Sequence, residues 1–218
     1  IMKINEEDVL LSITKNITDL KNIQSDLVKS KQSLQLALEG GGLGMWDWNI
    51  HTNKVIFSQL VADMLGYELS ELEPVFDFWK SLIHPDDVDG VMKSLQLHLD
   101  GMTEHYEHEY RVVARDGNWK WISDRGKVLE WDDKDRPLRA LGTHLDITER
   151  KLSEEKTAKL HKAVEKSPVS IVITDKTGSI EYVNPEFSRL TGYSFEEAIG
   201  KKTNILQSGW HSDEFYHN

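Results

Sequence analysis

The chain has 218 residues, 39% of them hydrophobic and 29% charged, with a net charge of −11 and no cysteine. That length allows one or two domains, and the composition suits globular domains with helical connectors rather than a disordered tract. The acidic balance argues against a nucleic-acid surface or an anionic membrane surface, no apolar stretch reaches the ~20 residues of a membrane span, and the lack of cysteine removes disulfides, thiolate catalysis and Cys-ligated metals, leaving the cytosol as the favoured compartment.

In chain order, residues 8–15 read as a short strand. A helix follows over 17–38: Asn16 can cap it with Asp19 three residues on, in capping-box form. Ile17, Leu20, Leu27, Leu34 and Leu38 recur near 3.5-residue spacing with Ser, Lys and Gln between them. So narrow a stripe is the seam of a two-stranded coiled coil, which implies a homodimer through this helix. A helix lying on its own domain is the alternative. Gly40, Gly41, Gly42 and Gly44 break the helix. A phosphate-cradling loop would follow a strand and open a helix, whereas this run follows a helix and opens a strand, so it reads as a tight turn.

Met45–Ile50 and Lys54–Ser58 form a hairpin, and Gln59 to Leu65 is a short helix ending at Gly66. Ser70 to Leu72 turn again, and Phe76, Phe78, Trp79, Leu82 and Ile83 give another short apolar helix. His84-Pro85-Asp86-Asp87 stops that helix and caps the next, over 87–99, whose Val88, Met92, Leu95 and Leu99 keep to one face. Tyr106–Ala114 and Asn118–Trp131 alternate on either side of Asp116-Gly117, a strong hairpin signal. Leu138–Leu145 is the last strand. Two strands, several short helices and three long antiparallel strands define an α+β domain.

The chain also repeats itself. Asn16-Ile17-Thr18-Asp19-Leu20-Lys21 returns as Asp146-Ile147-Thr148-Glu149-Arg150-Lys151, and a second echo at an offset of 126 links Leu34 with Leu160, Gly66-Tyr67 with Gly192-Tyr193 and Glu71 with Glu197. Self-similarity at a fixed period implies an array. Residues 1–16 are the tail of one unit, 17–38 a linker helix, 37–149 a complete unit, 148–164 a second linker helix and 163–218 the first half of a further unit. At the junction, Asp146 can cap the helix that follows, with Glu149 as its capping-box partner. A strand running straight into a capped helix is a stiff joint that can turn sheet strain into helix movement.

Trp46-Asp47-Trp48, Leu65-Gly66-Tyr67, Ile83-His84-Pro85-Asp86-Asp87, Tyr110-Arg111, Asp116-Gly117, Trp121 and Asp146 to Lys151, in this order and spacing, resemble the PAS domain with its C-terminal PAC segment. Residues 163–218 resemble the first half of another, through Ile173-Thr174-Asp175, Tyr182-Val183-Asn184-Pro185 and Leu190-Thr191-Gly192-Tyr193. The resemblance implies a PAS fold, a five-stranded antiparallel sheet with short helices over one face. It also implies a regulatory module of the kind found in prokaryotic sensor histidine kinases and diguanylate cyclases. Such a module passes the state of a ligand, redox centre or partner through helical linkers to an output domain. Asp146, Ile147, Thr148 and Glu149 form the signal-exit motif, and Phe57, Met92, Tyr110 and Trp121 are the pocket candidates for a small-molecule ligand. A structural dimerisation spacer without ligand is the third reading.

The resemblance also frames the cofactor question. Gly200 to Gln207 follows the frame of the light-sensing flavin signature Gly-Arg-Asn-Cys-Arg-Phe-Leu-Gln, but Thr203 stands where the reactive Cys would be. A hydroxyl does not replace a soft thiolate, so thiol-adduct photochemistry is excluded. Non-covalent FAD in the third unit is the alternative reading, with Asn184, Asn204 and Gln207 as its contacts. Haem would need an axial ligand. His98 is disfavoured for that role because it flanks the apolar stripe of its helix and reads as a boundary histidine favourable to the helix dipole. His105 and His108, three apart on a strand, face opposite ways and make no metal pair. Trp46, Trp48, Trp119, Trp121 and Trp131 read as core packing and sheet surface, or as a pocket wall. His161 lacks the acidic neighbour and Arg-Thr-Pro context of a kinase phosphoacceptor, and no nucleophile elbow or cyclase signature is present, so no catalytic residue is assigned.

Overall fold

The computed structural model describes residues 2–4, 7–9 and 18–206, and the chain divides after Thr148 into two compact units. In the first, β1 (Met2–Ile4) pairs antiparallel with β2 (Glu7–Val9). Beyond Val9, the strand expected over 8–15 lies outside the described residues, as does the Asn16 cap. Helix α1 (Thr18–Gly40) leaves Leu20, Ile23, Leu27 and Leu34 with 59–67% of their surface exposed. Its last turns lie along a groove in which Leu34 and Leu38 face Leu43, Met45 and Leu60. Gly42, at φ +64, supplies the left-handed residue that turns the chain into the sheet.

The sheet contains β3 (Leu43–Asn49), β4 (Lys54–Phe57), β5 (Tyr106–Val113), β6 (Trp119–Trp131) and β7 (Pro137–Asp146), all antiparallel, in the order β4-β3-β7-β6-β5. Between β4 and β5 come α2 (Gln59–Leu65), a 3-10 turn (Leu69–Glu71), α3 (Phe76–Leu82) and α4 (Pro85–Leu99). Strand periodicity decides what lies between sheet and helices. Trp46, Trp48, Val55, Phe57, Tyr106, Tyr110, Val112, Ile122, Val128 and Ala140 alternate inward. They meet Val61, Leu65, Trp79, Leu82, Val91 and Leu95 in one core.

The His-Pro-Asp-Asp run is a joint between α4 and β5. His84 Nδ1 accepts from the Asp86 N–H at 3.2 Å, and Pro85 opens the helix, two residues before the expected start. Asp87 accepts three bonds from Arg111, from the backbone N–H, Nε and Nη2, at 2.7–3.0 Å. The Arg111 side-chain bonds hold the Asp87 carboxyl below its usual range.

His98 corrects the sequence reading. It is buried, not a boundary residue: Nδ1 lies 3.0 Å from the Thr103 carbonyl, and Nε2 accepts from the Val128 N–H at 3.0 Å. Strand β5 pairs with β6 only as far as Gly126, so Val128 has no β5 neighbour and the histidine takes that place. Both ring nitrogens are engaged, which leaves neither for an axial bond to haem.

In the second unit, α5 (Thr148–Glu165) leads to β8 (Val172–Thr174), β9 (Ile180–Val183), α6 (Pro185–Thr191), α7 (Phe195–Ala198) and a 3-10 turn (Thr203–Leu206). β8 and β9 pair antiparallel, and Ile180, Val183, Phe187 and Ala198 form a small core. At the offset of 126 the element bounds coincide: β4 with β9, α2 with α6, and the left-handed cap Gly66 with Gly192. Even one side-chain bond recurs, with Ser58 Oγ accepting from Met45 N–H and Asn184 Oδ1 accepting from Ile171 N–H, each at 2.8 Å.

Candidate functional site

A cavity of about 40 Å³ lies between the sheet and α3–α4 of the first unit. Its walls are mostly apolar, with Trp48, Phe57, Phe76, Met92 and Leu95 among them. Its polar side is Tyr106, Tyr110, Asp124 and His144.

Asp124 is the centre of that polar side. It sits on β6 opposite His144 of β7, and both are almost fully buried. Burial of a carboxylate is tolerable only when its oxygens are matched. Trp46 Nε1–H donates to Oδ1 at 2.8 Å, Tyr110 O–H donates to Oδ2 at 2.7 Å, and His144 Nε2 stands 3.2 Å from Oδ2. Trp79 Nε1–H donates in turn to the Tyr110 oxygen at 2.9 Å, and its indole lies flat on the His144 ring, 4.2 Å between centroids. Burial, and next the Asp124 charge, push the Tyr106 and Tyr110 phenols far above their usual range, so both stay protonated and able to donate.

The geometry depends on two glycines. Gly126 and Gly142 are cross-strand partners, and the Trp46 indole lies against both. A Cβ on Gly142 would fall 2.3 Å from Trp46 Cζ2, and one on Gly126 2.5 Å from it. Only glycine leaves room for this ring to reach Asp124.

Of the pocket candidates, Phe57, Met92 and Tyr110 line the cavity and Trp121 does not. Trp121 lies on the opposite face, with the Arg111 guanidinium 5.5 Å from its ring centre. The reason is parity: Ile122, Asp124, Gly126 and Val128 point inward, so the odd-numbered residues of β6 point out. Asp124 and His144 are the residues the sequence reading missed. Their signal was that same parity, fixed by the apolar Ile122 and Val128.

The exit motif is a physical joint. Asp146 Oδ1 accepts from Thr148 N–H and Oδ2 from Lys120 Nζ, each at 2.9 Å. The second tie expected from Glu149 comes instead from Thr148, whose hydroxyl accepts from Trp121 N–H at 3.0 Å. Ile147 is buried and donates its N–H to the Trp121 carbonyl at 2.9 Å. For Asp146, burial works upward, but the bonds from Thr148 and Lys120 outweigh it and hold the carboxyl below its usual range.

In the second unit Asn184 is fully used within its own backbone. Oδ1 accepts from Ile171 and Phe187 N–H, and Nδ2 donates to the Val164 and Val169 carbonyls. Those four bonds exhaust the amide. Asn204 is exposed in the last 3-10 turn, and Gln207 lies outside the described residues. Among the described residues, no group of three His, Cys, Asp or Glu could hold a metal ion, and no helix is long and apolar enough to cross a membrane.

The sheet order, the helices over one face and the cavity between them define a sensory domain. The PAS fold family matches residues 54–144 and, again, residues 158–217. A sensory box histidine kinase/response regulator from Burkholderia thailandensis is 34% identical, covering 62% of this chain and 98% of its own, with a TM-score of 0.55. The "Probable diguanylate cyclase DgcE" of Escherichia coli is 26% identical over 85% of this chain, and the sensor protein FixL of Bradyrhizobium diazoefficiens 26% over 80%. This chain spans 17% and 35% of the length of those two relatives. The chain belongs to the PAS family, the sensory, non-catalytic modules of such kinases and cyclases.

Proposed function

We propose that residues 37–149 sense a small ligand in the Asp124–His144 cavity and pass its presence to the helix that begins at Thr148. The observation that carries this is the shortness of the path. His144 and Asp146 are two residues apart on β7, and Asp124 and Trp121 three apart on β6, so cavity floor and exit joint are separated by about 7–10 Å of continuous strand. A ligand that favours one arrangement of the floor shifts the population of the joint by its difference in affinity for the two.

The array reading of 1–16, 17–38, 37–149, 148–164 and 163–218 belongs to the same proposal, supported by the offset of 126 that runs through elements, caps and one side-chain bond. The exposed seam of α1 favours a homodimer through the linker helices, in the cytoplasmic part of a signalling protein. The output activity would reside in another part of that protein. FAD in the third unit has weaker support, because Asn184 has no hydrogen-bonding position left for it.

The test is hydrogen exchange at Ile147 and Thr148 in the full chain. Met92→Phe enlarges a side chain in the cavity wall and is expected to change protection at that joint. Unchanged exchange there, in a folded variant whose cavity residues do respond, would refute the coupling.

A further inference from the structure

We propose that the cavity takes an uncharged molecule of a few heavy atoms bearing both a hydrogen-bond donor and an acceptor, in class a small alcohol or primary amide, held at His144 and Trp48. This rests on the reading of the cavity as the unit's sensory site.

Two buried side-chain atoms have no hydrogen-bond partner among the described residues, Trp48 Nε1 and His144 Nδ1. Both belong to residues that line the cavity. Native interiors leave few such atoms unmatched, because each is destabilising. Two in the lining of one cavity define what a ligand that reaches both has to offer. An indole N–H only donates, so the ligand must accept from Trp48. His144 Nε2 faces the Asp124 carboxylate; in the neutral ring that donates to it from Nε2, Nδ1 keeps a lone pair that requires a donor. The Trp79 ring stacked on the imidazole fixes the plane in which that donor must approach.

Charge narrows the class. The Asp124 oxygens already meet Trp46, Tyr110 and His144, so no open carboxylate awaits a cation. The same carboxylate repels an anion in a low-dielectric site. The cavity's 40 Å³ is about three times the ~10–15 Å³ that one water needs, so the ligand is small.

The experiment uses the full chain, ¹⁵N-labelled, and follows the tryptophan indole N–H resonances by NMR. The probes are propionamide, propionate, propylammonium and xenon. Propionamide is expected to shift the Trp48 indole signal saturably and to bind at least tenfold more tightly than either charged probe. Trp48→Phe is expected to weaken propionamide at least tenfold while xenon binding, which reports an intact cavity, persists. Equal binding of propionate or propylammonium would overturn the proposal. Xenon binding without propionamide binding would overturn it too, yet leave the cavity a ligand site of apolar class. No binding by any probe would sink both this class and the sensory reading beneath it.

Discussion

The two units begin alike and end up chemically unlike. Both place a strand, a left-handed glycine cap and a short helix at matching positions, and both use a polar side chain at the helix start to accept from the backbone N–H 13 residues earlier. In the first unit that scaffold carries Trp46 and Trp48, and β5–β7 extend the same sheet beside them with Asp124 and His144. In the second, Val172 and Thr174 stand at the corresponding positions, and the core is a handful of aliphatic residues around Phe187. The scaffold thus sets where a cavity forms, while the inward residues of a few strands decide what it recognises.

Substitutions at five positions test that contrast, the largest effect first. Asp124→Ala strands the Trp46, Tyr110 and His144 donors in the core, with an expected loss of about 3–5 kcal/mol in urea unfolding. Asp124→Asn, which keeps the shape, should lose less. Gly142→Ala drives a methyl into Trp46 and is expected to cost about 2–3 kcal/mol. At Gly178, which is left-handed at φ +79 and in open space, the same change should cost about 1 kcal/mol by thermal unfolding.

Asn184→Ser gives the second unit the residue that the first carries at Ser58. It drops the two amide bonds to Val164 and Val169, for about 1–2 kcal/mol. Limited proteolysis should then cut 149–206 faster with the first unit unaffected; equal rates would mean that the amide does not hold that segment. The smallest effect is acidic. Asp146 is held below its unfolded value of 3.8, so its contribution is complete above that pH and is lost as pH falls through the lower folded value. Protection of Thr148 should weaken below about pH 4 by under about 1 kcal/mol, and Asp146→Asn should abolish that dependence.

Most of the fold is legible in the sequence because it is written in local rules. Alternation marks the strands, Gly66 and Gly192 stop their helices, and Pro85 opens another within two residues of the expected start. The polar centre of the site is harder to read. Asp124 sits between Ser123 and Arg125, and only the inward parity of Ile122 and Val128 shows that it faces the core. His144 looks like a strand histidine until β6 is laid beside it. Asn184 illustrates the converse: a motif position suggestive of a ligand contact is consumed by four backbone bonds, which no spacing along the chain reveals.

The Trp46 seat on Gly126 and Gly142 also has a genetic consequence. Any single codon change at either glycine that yields another residue adds a Cβ where the indole lies, and shrinking the tryptophan first abandons its bond to Asp124. Three positions on three strands are therefore locked together, and no one-step path reshapes this end of the cavity without passing through a weakened protein. Diversification of ligand preference has its open routes elsewhere, at Met92 and Leu95 on the helical wall, where side chains can be exchanged one at a time.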